Sequence, residues 1–324
     1  MHMKPLFIFS LPRSGSTLLQ YILAAHSKIS TVSEPWILLP FVYALKEEGS
    51  YSEFVHKAMV RAFSDFCEEL PNGRKDYFDE LSVFALRLYS KACQCESEYF
   101  LDKTPRYHLI VEEIIKMFPN GKFIFLWRNP LSIVASMMKS WAGGKWKLYS
   151  TKIDLYNGLL NLTDSFSRHN RRCIAIRYED LIVNTENECR KICSYLEIPY
   201  SSTIIEDYKK VNRKGKKGDQ FGFNEYQSLS DKSLEKWKFT LNNPIRVLFA
   251  RRYLNWIGEK RLCLMGYELN ELLGTLNNIP VCMRFVFSDI YRIIGGLGYS
   301  FLEPVIIRDK LKLLPNIWKI HAHR

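Results

Sequence analysis

The sequence contains no run of about 18 uncharged apolar residues, which excludes a membrane-spanning helix as the reading of any segment. It has no paired CxxC motifs and no Cys/His cluster, so its eight cysteines offer no zinc framework. Cys93 and Cys95 are too close for an easy bridge, and reduced, mostly buried thiols are the expectation. An N-terminal leader pattern is also missing. Leu6-Phe7-Ile8-Phe9 is one strand long and runs straight into Pro12-Arg13-Ser14-Gly15, so a cytoplasmic chain is expected. There is no internal repeat and no low-complexity linker. A composition of 47% hydrophobic and 25% charged residues excludes disordered, collagen-like and coiled-coil chains. Acidic residues are the scarcer charge, 34 against 46 Lys and Arg, which leaves a net charge of +12. That surplus favours an anionic partner without saying which one.

A length of 324 residues corresponds to about two domains or one enlarged α/β domain. Four short apolar segments bounded by turn residues read as buried strands: 5–10, 99–102, 122–127 and 173–178. Helical patterns lie between and around them, at 17–25, 51–69, 77–95, 107–118, 130–141, 149–169 and 185–196. Strands alternating with helices imply right-handed crossovers and a mostly parallel sheet, although the strand order does not follow from the pattern. The stretch 198–227 is polar and without clear periodicity, and helical patterns resume from 230 to about 273. The expected organisation is an α/β domain over 1–275 followed by a basic amphipathic extension over 276–324.

The strongest local signal is Phe7-Ile-Phe-Ser-Leu-Pro-Arg13-Ser14-Gly15-Ser16-Thr17. A strand turns sharply and opens a helix there, so the first backbone N–H groups and the positive helix end face out of the sheet edge. Ser14, Ser16 and Thr17 add hydroxyl donors, and Arg13 adds a guanidinium fork suited to sulfate or phosphate. An ordinary N-capped helix would explain the hydroxyl residues but not the Arg and Gly beside them. The segment is not a Walker A loop, which requires GxxxxGK[ST]. The second signal is Phe123-Ile-Phe-Leu-Trp127-Arg128-Asn129-Pro130, with Ser136 two turns into the helix that Pro130 opens. Arg128 ends a strand at the edge where open α/β sheets bind ligands, so Arg128 and Ser136 can share one phosphate.

Together the two loops resemble the cofactor loops of sulfotransferases that use 3′-phosphoadenosine 5′-phosphosulfate (PAPS). Asp102-Lys103-Thr104-Pro105, Arg177-Tyr178-Glu179-Asp180-Leu181 and Arg213-Lys214-Gly215 with Gly218-Asp219 resemble three further elements of that family. The similarity covers roughly 5–270. It implies a P-loop-like central parallel sheet flanked by helices, with a helical C-terminal extension. It also implies that Arg13, Ser14, Gly15, Ser16 and Thr17 hold the 5′-phosphosulfate and that Arg128 and Ser136 hold the 3′-phosphate. Tyr178 would contact the adenine, and Arg213, Lys214 and Gly215 would close over the 3′-phosphate, the product being adenosine 3′,5′-bisphosphate. The basic run from Lys209 to Lys217 reads equally as a solvated face. Pro-Arg-Ser-Gly, in place of the Lys of cytosolic small-molecule enzymes, is similar to the bacterial and Golgi tyrosyl-protein branch.

Sulfuryl transfer is an in-line displacement in which positioning and charge stabilisation dominate, and it requires no metal. Arg13 and Lys103 suit the leaving oxygen. Glu34, in Ser33-Glu34-Pro35-Trp36, is the expected base, its alternative role being a cap on the next helix. His108 is the second choice, expected to face solvent near a helix start. His26, expected to cap the loop helix's C-terminal carbonyls, and His56, on a surface helix, are further competitors. Trp36, Trp141 and Trp146 either line an acceptor pocket or pack the core. The acceptor is a hydroxyl of a carbohydrate, lipid-linked or other small molecule, and no nucleic-acid partner is expected. The segment 281–299 reads as a surface that lies on a membrane or that packs against the domain or a second subunit of a homodimer. The competing functions are a P-loop-type phosphotransferase, disfavoured by the missing Walker lysine, and a non-enzymatic polyanion-binding protein.

Overall fold

Strands covered on both faces must be apolar along their whole length, and the segments Pro-Leu-Phe-Ile-Phe, Tyr-Phe-Leu and Phe-Ile-Phe-Leu-Trp meet that condition. In the computed structural model, which describes residues 3–50, 52, 54–93, 97–211 and 234–302, they form the centre of one sheet. Its five strands are β1 (Lys4–Phe9), β2 (Ile29–Thr31), β3 (Tyr99–Asp102), β4 (Lys122–Trp127) and β5 (Cys173–Arg177). All pairings are parallel, and the order is β2-β3-β1-β4-β5. Phe7 lies beside Asp102 on one side and Phe123 on the other, which fixes the register of the three central strands. The protein is therefore an α/β structure with a central parallel sheet, as the strand–helix alternation implies.

Alternate side chains divide between two cores. Leu6, Ile8, Tyr99, Leu101, Ile124 and Leu126 pack with Leu18, Leu19 and Ile22 of the helix Ser16–Ala24 and with Cys189, Ile192 and Leu196 of Thr185–Leu196. On the opposite face Phe7, Phe9, Phe100, Phe123, Phe125 and Trp127 pack with Ile114, Ile115, Leu159 and Leu162. The rings of Phe7, Phe9 and Phe123 stack on one another, with centroids 5.9 to 6.0 Å apart.

The four expected strands are present to within a residue, except that Tyr178 begins the helix Tyr178–Val183 instead of ending β5. Strand β2 was not expected, because three residues are too short to show a pattern. Two long helical patterns are broken. Pro105 opens a 3₁₀ turn, Pro105–Leu109, before the helix Val111–Met117. The 149–169 pattern divides into Leu148–Thr151, a π-helical Asp154–Gly158 and Leu159–His169. The described part of 198–227 contains the short helix Thr203–Asp207.

At the C-terminal side, the helices Pro244–Ile257 and Val286–Leu302 are joined by a buried ion pair. Arg246 donates to both carboxylate oxygens of Asp289, through Nε at 2.6 Å and Nη2 at 3.0 Å. Asn243 donates to the same carboxylate at 2.7 Å, and Arg246 also donates to the carbonyls of Thr240 and Gly144. Among the described residues, no helix is long and apolar enough to cross a membrane.

Asp289→Ala leaves the buried guanidinium without a counter-charge and should cost about 3–5 kcal/mol in chemical denaturation. The double change Arg246→Met/Asp289→Leu should recover most of that loss. A single-variant loss below about 1 kcal/mol would show that the pair is effectively solvated.

Candidate functional site

All five strands point their C-terminal ends the same way, and each is followed by a residue of the expected site. Along the sheet edge the order is Glu34 after β2, Lys103 after β3, Arg13 to Thr17 after β1, Arg128 after β4 and Tyr178 after β5. Adjacent strands are about 4.8 Å apart, so this row is roughly 20 Å long. Arg13–Thr17 lies in its middle, beside the switch point between β1, whose connection runs to β2, and β4, whose connection runs the other way to β5.

The middle loop is shaped to receive an anion. Gly15 takes φ 88° and ends the turn, and no side chain caps the helix Ser16–Ala24 that follows. Its first-turn N–H groups are therefore left for a ligand. A Cβ at Gly15 would fall 2.3 Å from Tyr178 Cδ2, so any other residue there would collide with the ring as well as strain the backbone. The hydroxyls of Ser10 and Ser14 are buried without a partner, the condition expected of donors that await a bound oxyanion. Arg13 itself has φ 70° and donates through Nε to Ser136 Oγ at 3.3 Å. Ser136 therefore meets the first loop directly.

On the β4–β5 side, Arg128 donates through Nη1 to the Arg13 carbonyl at 2.7 Å, and its guanidinium lies 4.3 Å from the Tyr178 ring centroid. Its Nε is buried and unpartnered. Asn129 caps the helix Pro130–Ala142 by accepting from Leu131 N at 2.9 Å. Glu179 accepts from Asn129 N at 3.0 Å and from the Tyr267 hydroxyl at 2.6 Å. The Arg177 guanidinium covers the other ring of this clamp, Tyr267. Tyr267, distant in sequence and without a motif, gave no earlier signal.

On the β2–β3 side, Lys103 is sealed from solvent and donates to Glu34 Oε1 at 2.8 Å and to Thr17 Oγ1 at 3.4 Å. Glu34 also accepts from Trp36 Nε1 at 3.1 Å. It does not cap the following helix Leu38–Tyr43, whose start has no side-chain cap, so the capping alternative is overturned. Behind the pair stands Asp102. It accepts from Tyr89 at 2.5 Å, from Tyr107 at 3.0 Å and from Thr104 at 3.0 Å. Thr104 Oγ1 in turn accepts from Trp36 N at 3.2 Å, and Tyr107 accepts from Leu38 N at 3.2 Å. This chain runs from Asp102 through Thr104 and Trp36 back to Glu34. Burial pushes the Asp102 carboxyl up to about 6, although its three hydroxyl donors and Lys103 pull the other way.

His108, His26 and His56 each have a defined partner. His108 does not face solvent, because the 3₁₀ turn started by Pro105 rotates it into the core. Its Nε2 pairs with Asp154 Oδ1 at 2.7 Å, and its Nδ1 lies against Gly158, where a Cβ would be 2.6 Å away. Burial lowers its pKa despite Asp154. His26 does not cap the loop helix's carbonyls. Its Nδ1 accepts from Lys28 N, and its Nε2 donates to the Pro199 carbonyl at 2.8 Å. His56 starts the helix His56–Glu68 and bonds the Lys46 carbonyl. Trp146 is core, Trp141 is partly exposed and Trp36 belongs to the Glu34 contact. Arg213, Lys214 and Gly215 lie outside the described residues.

Because the Asp102 carboxyl titrates near 6 in the fold and near 3.8 as a free side chain, the folded state holds the extra proton between those values. Stability therefore falls as pH rises from about 4 to about 6, and Asp102→Asn should remove that part of the slope, at most about 3 kcal/mol. Denaturation curves of the two proteins that stay parallel over this range would show that Asp102 does not titrate there.

Comparison with known proteins follows the same lines. The model of the sulfotransferase family matches residues 5–202, more than half of the chain. The nodulation protein NoeE of Sinorhizobium fredii is 25% identical over 287 residues, which cover 81% of this chain and 65% of NoeE. The chain thus spans less than two-thirds of NoeE's length. Protein-tyrosine sulfotransferase 2 of Gallus gallus is 24% identical over 326 residues, 99% of this chain and 78% of its own. The solved sulfotransferase domain from the curacin biosynthetic pathway superposes with a TM-score of 0.53 at 21% identity, covering 82% of this chain and 98% of that domain. That last likeness is one of fold. With the family model matched across the sheet and both anion loops, the chain belongs to the sulfotransferase family.

Proposed function

We propose that the protein transfers the sulfuryl group of PAPS to a hydroxyl of a carbohydrate, lipid-linked or other small acceptor. The observation that carries this reading is the position of Lys103, whose ammonium lies between Thr17 on the anion loop and the Glu34 carboxylate. A cation and a proton acceptor are thereby held beside one anion site, the pairing that in-line transfer to a hydroxyl requires. The relatives named protein-tyrosine sulfotransferase support a hydroxyl acceptor.

PAPS supplies, when bound, an electrophilic sulfur joined to a good phosphate leaving group. The chain's residues divide the remaining work by strand order. The first turn of Ser16–Ala24, with Ser14, Ser16, Thr17 and Arg13, would hold the 5′-phosphosulfate. Arg128 would hold the 3′-phosphate through its unpartnered Nε, with Ser136 beside it, and Tyr178 would face the adenine. Arg213, Lys214 and Gly215 would complete that end. Glu34 would take the acceptor's proton as the new O–S bond forms. Lys103 and Arg13 would stabilise the charge left on the phosphate oxygen as the old S–O bond breaks. His108, engaged by Asp154 and shielded by Gly158, is not used as a base.

The test uses purified protein, adenosine 3′,5′-bisphosphate for calorimetry and acceptor extracts with labelled PAPS for turnover. Arg128→Ala should weaken bisphosphate binding by the roughly 1.5–3 kcal/mol of a charge-assisted contact. Glu34→Gln removes both the proton acceptor and the counter-charge of buried Lys103, so it should lower the melting temperature, keep bisphosphate binding in the folded protein and lose about 10²–10⁴-fold in turnover. A fully active Glu34→Gln protein would remove Glu34 as the base. A wild-type protein that binds neither bisphosphate nor PAPS would overturn the donor assignment and leave polyanion binding as the better account of the +12 charge.

A further inference from the structure

Surface helices of globular proteins turn their apolar stripe inward. The helix Val286–Leu302 packs Ile293 inward but carries a second apolar stripe that faces outward. Its inward face carries Asp289, fully buried against Arg246, and Gly296, where a Cβ would fall 2.4 Å from Tyr149 Cδ1. The residues one helical step round, Phe287, Tyr291 and Ile294, are 89%, 79% and 64% exposed. Their spacing, i, i+4 and i+7, makes one continuous stripe. The Arg246–Asp289 pair therefore holds the helix by its acidic side and presents this stripe to the outside.

The surroundings of this stripe carry a surplus of positive charge. Three segments meet at the helix: 139–153 through Gly144 and Tyr149, 234–258 through Asn243 and Arg246, and 272–302 itself. They contain eleven Lys and Arg, against Glu235, which is paired with Lys238, and the buried Asp289, with the acidic residues Asp154, Glu259 and Glu271 directly beyond their ends. Lys145, Lys147, Lys152 and Arg284 are exposed. The sequence beyond the helix, 303–324, continues the composition, with five Lys and Arg against two acidic residues among Ile, Leu and Trp.

The geometry points to an anionic lipid surface as the partner of this face, with the helix lying in the headgroup plane. A second copy of the chain would bring two strongly basic faces together, which is repulsive. A bilayer of acidic headgroups answers both features at once, because it takes apolar side chains into the acyl boundary and attracts the flanking cations. The protein would then meet its acceptor at a membrane surface.

Co-sedimentation of the full chain with phosphatidylcholine vesicles, with and without phosphatidylglycerol, tests this. The protein should partition onto the phosphatidylglycerol vesicles, weakly onto neutral ones, and less as salt is raised. Phe287→Ser/Tyr291→Ser/Ile294→Ser should keep the wild-type melting temperature and lower the partition coefficient at least about tenfold. If that triple variant melts early, Phe287→Ser alone should give a smaller loss in the same direction. Failure of the wild type to bind anionic vesicles would overturn the inference. So would equal binding by wild type and variant, which would assign the effect to charge alone. A wild-type dimer that light scattering finds converted to monomer by the triple change would also overturn it, because the stripe would then be a subunit interface.

Discussion

A lysine ammonium sealed from water needs a carboxylate beside it, since an isolated buried charge costs several kcal/mol. Lys103 meets that requirement with Glu34, and the rest of the site is arranged around the pair. Strand β3 places the lysine. The short β2 brings the carboxylate to it across one strand spacing, and Thr17 accepts a second hydrogen bond from the ammonium. Asp102 sits one residue earlier and ties the Trp36–Leu38 segment in place through Thr104 and Tyr107. The turn that carries Glu34 is also held from its other side, where Gln20 donates to the Val32 carbonyl at 2.8 Å.

The strand order turns a set of loops into a sequence of functions along one edge. The central loop and the one beside it after β4 are bound to each other, through Arg128 to the Arg13 carbonyl and through Arg13 to Ser136. The two cationic loops are therefore tied together, and each guanidinium has its own partner, the Ser136 hydroxyl for Arg13 and the Arg13 carbonyl and Tyr178 ring for Arg128. Preorganisation of this kind is the main means by which a protein stabilises charge that appears only during a reaction.

What was legible in the sequence was local. Arg13 to Thr17 and Arg128 to Pro130 follow strands and open helices within a few residues, so their exposure at the sheet edge follows from chain direction alone. The four longer strands were legible because burial on both faces makes them continuously apolar. Strand β2 was not, since Ile-Ser-Thr is too short to carry a period, and the order of strands depends on contacts that no local window contains. His108 was misplaced because one proline converts the expected α-helical start into a 3₁₀ turn and changes the direction of every side chain in it. The Asp102 hub draws on Tyr89 from a separate helix, and Glu179 draws on Tyr267 from much later in the chain. Such pairings are properties of the packed molecule. The capping role considered for Glu34 failed for the same reason, because its partner Lys103 is 69 positions away.

The contact between Gly15 and the Tyr178 ring has a consequence for mutational tolerance. Position 15 is closed to every side chain by the fold itself, through a left-handed backbone and a ring that already fills the Cβ space. A library randomised over residues 13–17 and selected only for soluble, folded protein would still return glycine at 15, while 14, 16 and 17 would drift. Retention at that one position would report packing, and the ligand's own demands would be read from the three hydroxyl residues around it.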